Sequence, residues 1–560
     1  MIRGNPITHL NRGIAIAFAG VSGLAGQATA EPLNRGALEA LFEEPVTLSA
    51  TGAPQRATEA PVNMTIITQE EIRRSGAVDL PGVLERLATV DVMRSTAGQA
   101  DVSIRGYNEP FSPRLLVLLN GRQVYLDDYG RTNWDAIPVQ LGEIRQIEVV
   151  SGPSTALFGF NAVAGVVNII TFDALEDDID QVMMRAGSHG HYAGSAIWTA
   201  RLAENLGARL SLGGFDAQAS AGDDDLALAF FGTEAVDPNA RSVALNAAYD
   251  IAENIRADFE ATWSSSERLD RFATSLVDLP YETSSLKIAL SADVAPGLLS
   301  AHIYSNDLAY GDQDDATAFG ALDNRTTVAA IALVAKLAPA HTLRIAGEYR
   351  RNELAQGGGD LGYDVYSLSG MWNWQATPAL AVTTAARYDL LELERSGAFV
   401  SPDFPFANED YDQSFSEWSF NLGAVYRTSP RDTLRLGAAR GIGSPSLAEY
   451  GFNVIAPDPS IGGVVIVAGD PSAAPTIVSN LEFGWDREIS TIDGRLRAAV
   501  FLQRNENLRS FASRQEHFGS TQPGRRIASA ADRGLRCAWP RAGSGRAPRP
   551  VQLGCPICVG

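Results

Sequence analysis

Any chemistry in this chain has to come from a sparse set of reactive side chains. Its three cysteines, Cys537, Cys555 and Cys558, all fall within the last 24 of 560 residues. Cys555-Pro-Ile-Cys558 has CxxC spacing, but a zinc site needs a second pair of ligands, and none accompanies it. The six histidines, His9, His189, His191, His302, His341 and His517, are scattered. The chain has no HExxH, GxSxG or P-loop, and no GxGxxG between a strand and a helix. Carboxylate runs occur at Asp223-Asp224-Asp225 and Asp312-Gln313-Asp314-Asp315; such runs suit a hard cation or a solvated loop. Paired carboxylates without a pocket carry no catalysis. No catalytic residue, metal site or resident cofactor is therefore assigned, and an enzyme is not expected. More informative are charges set among apolar strand residues: Arg105, Arg145 and Glu148. A buried charge must be paired, so these three are expected to lock one part of the molecule to another.

The elements that hold such residues follow from composition and pattern. Lys and Arg number 45 against 66 Asp and Glu, a net charge of -21, which argues against nucleic acid as a partner because phosphate binding needs a basic surface. At 45% hydrophobic residues the chain is not disordered, and its 52 glycines without a period are not collagen. The long cysteine-free stretch suits an oxidising compartment. Arg3 and Arg12 precede an apolar run from Ile14 to Ala25, and Ala28-Thr29-Ala30 supplies small residues before Glu31. That is the order of a secretory signal peptide, placed at residues 1–30. No later stretch reaches the roughly 18 apolar residues of a membrane helix, so a membrane span would have to be a closed barrel.

Residues 31–60, with Pro45, Gly52 and Pro54 among small polar residues, read as a flexible leader. Residues 61–172 read as a compact α+β unit. Met64 to Ile67 is a strand, and Thr68 with Glu71 has the capping-box spacing that opens a helix through Arg74. Asp79 to Leu87 is a second short helix. Strands are expected at Val102 to Arg105, Leu115 to Leu119, Ile144 to Val150 and Val166 to Thr171. Asn120-Gly121 makes a tight hairpin turn into Gln123-Val124-Tyr125.

From about residue 178 to 509 the dominant period is two. Ile255, Ala257, Phe259, Ala261 and Trp263 share one face, and Asn254, Arg256, Asp258, Glu260 and Thr262 the other. Leu343, Ile345 and Tyr349 likewise alternate with Arg344, Glu348 and Arg350. Apolar-out, polar-in alternation is what a transmembrane β-barrel needs, and Trp and Tyr near strand ends suit its interfacial girdles. About 15 strands are expected in this region.

Residues 61–172 resemble the plug domain of TonB-dependent outer-membrane receptors. The likeness rests on Ile104-Arg105-Gly106-Tyr107, on Val117-Leu118-Leu119-Asn120-Gly121-Arg122, and on Ile144 through Pro153. It continues through Ala156-Leu157-Phe158-Gly159 and Asn161-Ala162 to Gly165 through Thr171. Ser151 stands where the family usually has Arg. The resemblance implies a transmembrane antiparallel β-barrel with an N-terminal α+β plug in its lumen, in the outer membrane of a Gram-negative bacterium. It implies TonB-dependent active uptake of a scarce ligand, such as an iron-siderophore or other ferric chelate, or cobalamin. The implied partners are the TonB energy-coupling complex and outer-membrane lipid, with the receptor a monomer. The TonB box expected by this likeness is Glu44, Pro45, Val46, Thr47 and Leu48. By family geometry the loops around Arg94 to Asp101 and Tyr125 to Asp135 face outward, making Arg94, Gln99, Tyr125, Asp127, Asp128, Tyr129, Arg131 and Trp134 the expected ligand-binding set. Aromatics and arginine suit stacked or anionic ligands. His189 and His191 fall in a turn expected on the periplasmic side.

Plugged transporters have about 22 strands, so the barrel reads as incomplete. Residues 511–560 hold eight Arg, no Lys and two acidic residues and lack sustained alternation. The reading is an aberrant basic, Cys-containing tail over 510–560, of the kind a frameshift produces. The alternatives are a non-functional truncated receptor product, or a smaller plug-bearing outer-membrane barrel that binds rather than transports.

Overall fold

A computed structural model describes residues 60–510 except 97, 107–113, 226–234, 273–274, 311–321, 400, 403, 452, 459–462, 490 and 492–493, together with 46–47, 55–56, 525–529, 532–533, 552–554 and 557–559. Glu44, Pro45 and Leu48 of the expected box, and most of the tail, lie outside the described residues. Val46–Thr47 forms a short strand, β1, antiparallel to β2, Gln55–Arg56.

The plug begins with β3 (Asn63–Thr68). Thr68 caps the helix Gln69–Ser75 by accepting from the Glu71 amide, Glu71 returns the capping box, and Gly76 ends the helix at φ 69°. Asp79 caps the short helix Leu80–Leu84, which carries Pro in its first turn. β4 (Val90–Arg94) and β5 (Ala100–Ile104) form an antiparallel ribbon. β6 (Leu115–Leu119) turns through Asn120 and Gly121, at φ 50° and 78°, into β7 (Arg122–Gln123). Both turn residues need positive φ, which is why this dipeptide marks a hairpin. β8 (Ile144–Ser151) and β9 (Gly165–Thr171) complete a sheet ordered β3-β8-β9-β6-β7, with β6 parallel to β9. All five residues of β6 are buried, as expected of a strand covered on both faces.

The wall follows as β10 (Gln181–Ala186), β11 (Tyr192–Ala203), β12 (Leu206–Asp216), β13 (Asn239–Ala252), β14 (Ile255–Phe272), β15 (Ser275–Val294), β16 (Gly297–Tyr310), β17 (Leu322–Ala338), β18 (His341–Gln356), β19 (Gly359–Thr377), β20 (Leu380–Gly397), β21 (Gln413–Arg427) and β22 (Asp432–Gly443). A hairpin of β23 (Asn453–Asp458) and β24 (Gly463–Ala468) intervenes before β25 (Thr476–Ile489) and β26 (Gly494–Glu506). Leaving out that hairpin, each strand pairs antiparallel with the next, giving the expected 15, and two short tail segments, Gln552–Gly554 and Ile557–Val559, also pair with β26. Among the described residues β10 pairs only with β11. No helix of the described residues is long and apolar enough to cross a membrane.

Strand alternation falls as the sequence pattern requires. On β14, Glu260, Thr262, Ser264, Ser266, Arg268 and Asp270 are buried against the plug, while Phe259 and Trp263 point out. On β19 the exposed apolar residues run from Trp374 and Trp372 through Leu368 to Tyr366, and Asp364 and Asp360 follow above. From Trp374 to Tyr366 is roughly 26 Å along the strand, and strand tilt reduces this toward the height of an outer-membrane apolar band. His341 stacks on both tryptophans at its lower end, with centroids 5.7 and 6.2 Å away.

The two ends of the wall differ. The turns at Ala203/Leu206, Ala252/Ile255, Val294/Gly297, Ala338/His341 and Thr377/Leu380 hold two residues each and share one end. The connections 217–238, 311–321, 398–412 and 444–475 all lie at the other. Counting strands from this pattern puts the β10–β11 turn, with His189 and His191, at the long-loop end. This corrects the periplasmic expectation, because the longer loops of such barrels face outward.

Candidate functional site

The plug meets the wall through buried charge pairs, and these define the site. At the lower hairpin tip, Arg122 on β7 donates through Nε to Glu260 of β14 at 2.7 Å and through Nη1 to Asn306 of β16 at 3.0 Å. Asn120 Nδ2 reaches the same Glu260 at 3.0 Å. Glu143, fully enclosed, accepts from Ser211 at 2.5 Å and pairs with Arg209 of β12. Arg105 pairs with Glu482 of β25, which also accepts from Asn63 at 2.8 Å. The Arg105 guanidinium lies 4.3 Å from the Phe501 ring centroid. Arg105 itself sits at φ 63°, a left-handed conformation costly for a side chain with a Cβ. Gly152, at φ 98°, packs beneath it: a Cβ there would come within 2.8 Å of Arg105 Nη1.

Arg105 thus joins plug to wall through Glu482. The other two residues expected to do so are engaged differently. Arg145 pairs at 3.2 Å with Asp177 in the connector between plug and wall. Glu148 accepts from Gln146 and Asn168 inside the plug sheet. The reason lies in position: β8 is interior to the sheet, so a side chain there meets sheet neighbours before it meets wall.

The expected ligand-binding residues are mostly covered in this conformation. Arg94 is exposed on β4 and pairs with Asp79 at 2.9 Å. Gln99, Tyr125, Asp127, Asp128, Tyr129, Arg131 and Trp134 are all buried. Tyr125 and Trp134 pack in the plug core with Ile104 and Ile137. Tyr129 joins an aromatic cluster at the long-loop end, 5.6 Å edge-on from Tyr310, which stacks on Tyr281 at 5.5 Å. Arg131 donates to Asp270 at 2.8 Å and to Tyr281, while Arg268 holds the other Asp270 oxygen at 3.1 Å. Asp127 accepts from Arg350 at 3.0 Å and from Asn161 at 2.8 Å.

The cover comes from the connection after β22. A short helix, Leu447–Gly451, donates its Leu447 and Ala448 amides to the carbonyls of Asp127 and Asp128 at 3.0 and 2.7 Å. Leu447 and Tyr450 complete the aromatic cluster. Sequence reading missed this helix, although Ser446 and Glu449 carry the capping-box spacing and make both of its bonds. Reading also missed the wall partners Glu260, Asp270, Arg350 and Glu482. All four sit on the polar face of the strand alternation, which was the available signal.

Burial pushes the carboxyl groups of Asp128 and Asp135 up to about 6, against the opposing pull of Arg131 and Arg268. A raised folded-state pKa adds stability below the unfolded value, near 3.8, and that contribution is lost as pH rises through about 6. The seated plug should therefore lose up to about 3 kcal/mol per group between pH 4 and 7.5. Asp128→Asn, permanently neutral, should flatten that slope by its own share. Urea midpoints across this range check it, and identical slopes in both proteins would refute it.

Comparison with known proteins places this arrangement. The TonB-dependent Receptor Plug Domain model matches residues 56–166, and the TonB dependent receptor-like beta-barrel model matches residues 187–533. The vitamin B12 transporter BtuB of Vibrio vulnificus is 25% identical over 437 residues, covering 74% of this chain and 66% of that protein. BtuB of Photobacterium profundum is 34% identical over 148 residues, 26% of this chain and 23% of that one. The chain thus spans two thirds or less of the length of these relatives. Among solved structures, the alcaligin outer membrane receptor FauA of Bordetella pertussis aligns with a TM-score of 0.61 at 15% identity, covering 87% of this chain and 78% of that one. The ferric enterobactin receptor PfeA of Pseudomonas aeruginosa aligns at 0.65 and 18% identity, covering 84% and 76%. These two likenesses speak to fold. With a plug match followed by a barrel match that alone covers more than half its length, the chain belongs to the TonB-dependent receptor family, whose members are outer-membrane receptors.

Proposed function

We propose that this chain serves TonB-dependent active uptake of a scarce ligand, a ferric siderophore or cobalamin, across the outer membrane. The observation that carries this reading is a folded plug held inside a strand wall by buried ion pairs, with an extended segment preceding it. Vitamin B12 transporters among the relatives, and siderophore receptors among the structural neighbours, support the two ligand classes. In this reading residues 1–30 are removed on export and 31–60 form the leader. Residues 61–172 are the plug, and 178–509 its wall.

Val46 and Thr47, with Glu44, Pro45 and Leu48, act as the box to which TonB adds a strand through backbone hydrogen bonds. Because β1 pairs with Gln55–Arg56, TonB has to displace β2 or add to the opposite edge. Asp127, Asp128, Tyr129 and Arg131 meet ligand once the Leu447–Gly451 helix withdraws, with Arg94, Gln99, Tyr125 and Trp134 in the loops that flank them.

The test expresses the full chain in cells lacking their own receptors and follows radiolabelled cobalamin and ferric siderophores. The expected result is uptake that requires TonB and falls to background in Val46→Pro, which removes a backbone donor, while ligand binding to the cells persists. Uptake of neither ligand class, or uptake indifferent to TonB, overturns the proposal.

A further inference from the structure

Below the aromatic cluster the plug does not fill the lumen. A cavity of about 150 Å³ lies between the plug helix Thr155–Phe158 and wall strands β16 to β20, room for several waters. Small residues keep it open: Gly159 on the plug, with Ala330, Ala332 and Ser369 on the wall. Gly159 is required by its backbone, at φ 106°, a conformation that side chains with a Cβ rarely adopt.

The cations lining this cavity are not equally met. Arg344, Arg350 and Arg387 face a single carboxylate, Glu348. Arg350 is held through Nη1 by Asp127 and Gln123, at 3.0 and 2.6 Å. Arg387 is satisfied by Asp389 at 2.8 Å and by Glu348 at 3.2 Å. Arg344 has neither a hydrogen bond nor an ion pair among the described residues, although Arg387 and Glu348 lie within its electrostatic reach. His302 stacks on Tyr304 with centroids 6.0 Å apart, and its ring nitrogens likewise have no partner among the described residues. A guanidinium with free donors presents the planar fork that fits an oxyanion.

We propose that this cavity is an anion-binding station, in which Arg344, supported by His302, holds a carboxylate or phosphate group. Arg344 lies three residues from the β17–β18 turn and His302 five from the β15–β16 turn, so the station sits toward the short-turn end. Its place on an exit route from the plug rests on the uptake reading; the site itself rests on the unpaired Arg344 guanidinium and the space before it.

Equilibrium titration of the detergent-solubilised full chain tests it, using inorganic phosphate and citrate, each against chloride at matched ionic strength. The expected result is saturable binding of at least one, weakened by about tenfold or more in Arg344→Gln. Arg325→Gln, on the outer face, should leave it unchanged. Arg344→Lys should retain partial affinity, because it keeps the charge and loses the fork. Phosphate binding without citrate points to phosphorylated ligands, and the reverse to carboxylate-bearing ones; either supports the station. Absence of saturable binding, or equal binding in wild type and Arg344→Gln, overturns it. The measurement needs neither TonB nor uptake. Loss of anion binding with uptake intact removes the station alone, and anion binding without uptake removes the transport reading alone.

Discussion

Asp270→Ala should loosen the apex of the plug by about 3–5 kcal/mol, the range for breaking a buried ion pair from one side. Asp270 is fully enclosed. It gathers Arg131 from the plug, Arg268 from its own strand and the Tyr281 hydroxyl. Removing it takes the shared carboxylate from two buried guanidinium groups, of which Arg268 keeps the Gly98 carbonyl at 2.7 Å and Asp135 at 3.5 Å. The seated plug buries Trp134 in its core, and fluorescence during urea unfolding reads the change, with limited proteolysis of the plug as a second signal. A double variant, Asp270→Leu with Arg131→Leu, should recover much of the loss, because replacing both partners by apolar groups can be nearly neutral. An Asp270→Ala midpoint equal to wild type would show that the network contributes nothing to seating.

Glu482→Ala should be nearly as damaging, again about 3–5 kcal/mol, but at the opposite side of the plug. It takes from buried Arg105 its carboxylate partner on the wall and also removes the acceptor of Asn63 on β3. Arg105→Gly should cost less, because it removes the charge together with a left-handed penalty of about 1–2 kcal/mol. The asymmetry is the informative part. A pair measured only by its mutual attraction would give equal losses from either side. A conductance assay in planar bilayers supplies the functional reading: Glu482→Ala should show openings that wild type lacks. Equal stability of the two single variants would mean that the Arg105 backbone carries no strain.

Much of this architecture was legible in residue order. The capping box at Thr68 and Glu71, the Asn120-Gly121 turn and the buried run of Leu115 to Leu119 each have a local cause, and each stands where local rules place it. The wall was legible because period-two alternation is a local property as well. What was not legible depends on closure in three dimensions. Arg105 and Arg145 look alike in sequence, each a cation among apolar residues. Only the sheet order decides that one reaches Glu482 and the other Asp177. The outward-facing set Asp127 to Arg131 is covered because a segment more than 300 residues later, Leu447–Gly451, donates amides to its carbonyls. The β4 ribbon was missed because Val90 to Arg94 alternates weakly, with exposed Asp91 and Met93.

The contrast between the two ends of the wall has a consequence for how the gene can vary. At a two-residue turn such as Ala295-Pro296, where the flanking strands pair without a bulge, the chain has no slack. One added residue there shifts the register of the following strand, and a shift of one exchanges the side that faces plug for the side that faces lipid. At the opposite end, an insertion within 217–238 or 398–412 is taken up before the next strand begins. The molecule therefore has long connections at which sequence can drift, lengthen and diversify, and tight regular turns at which a length change disturbs the whole wall.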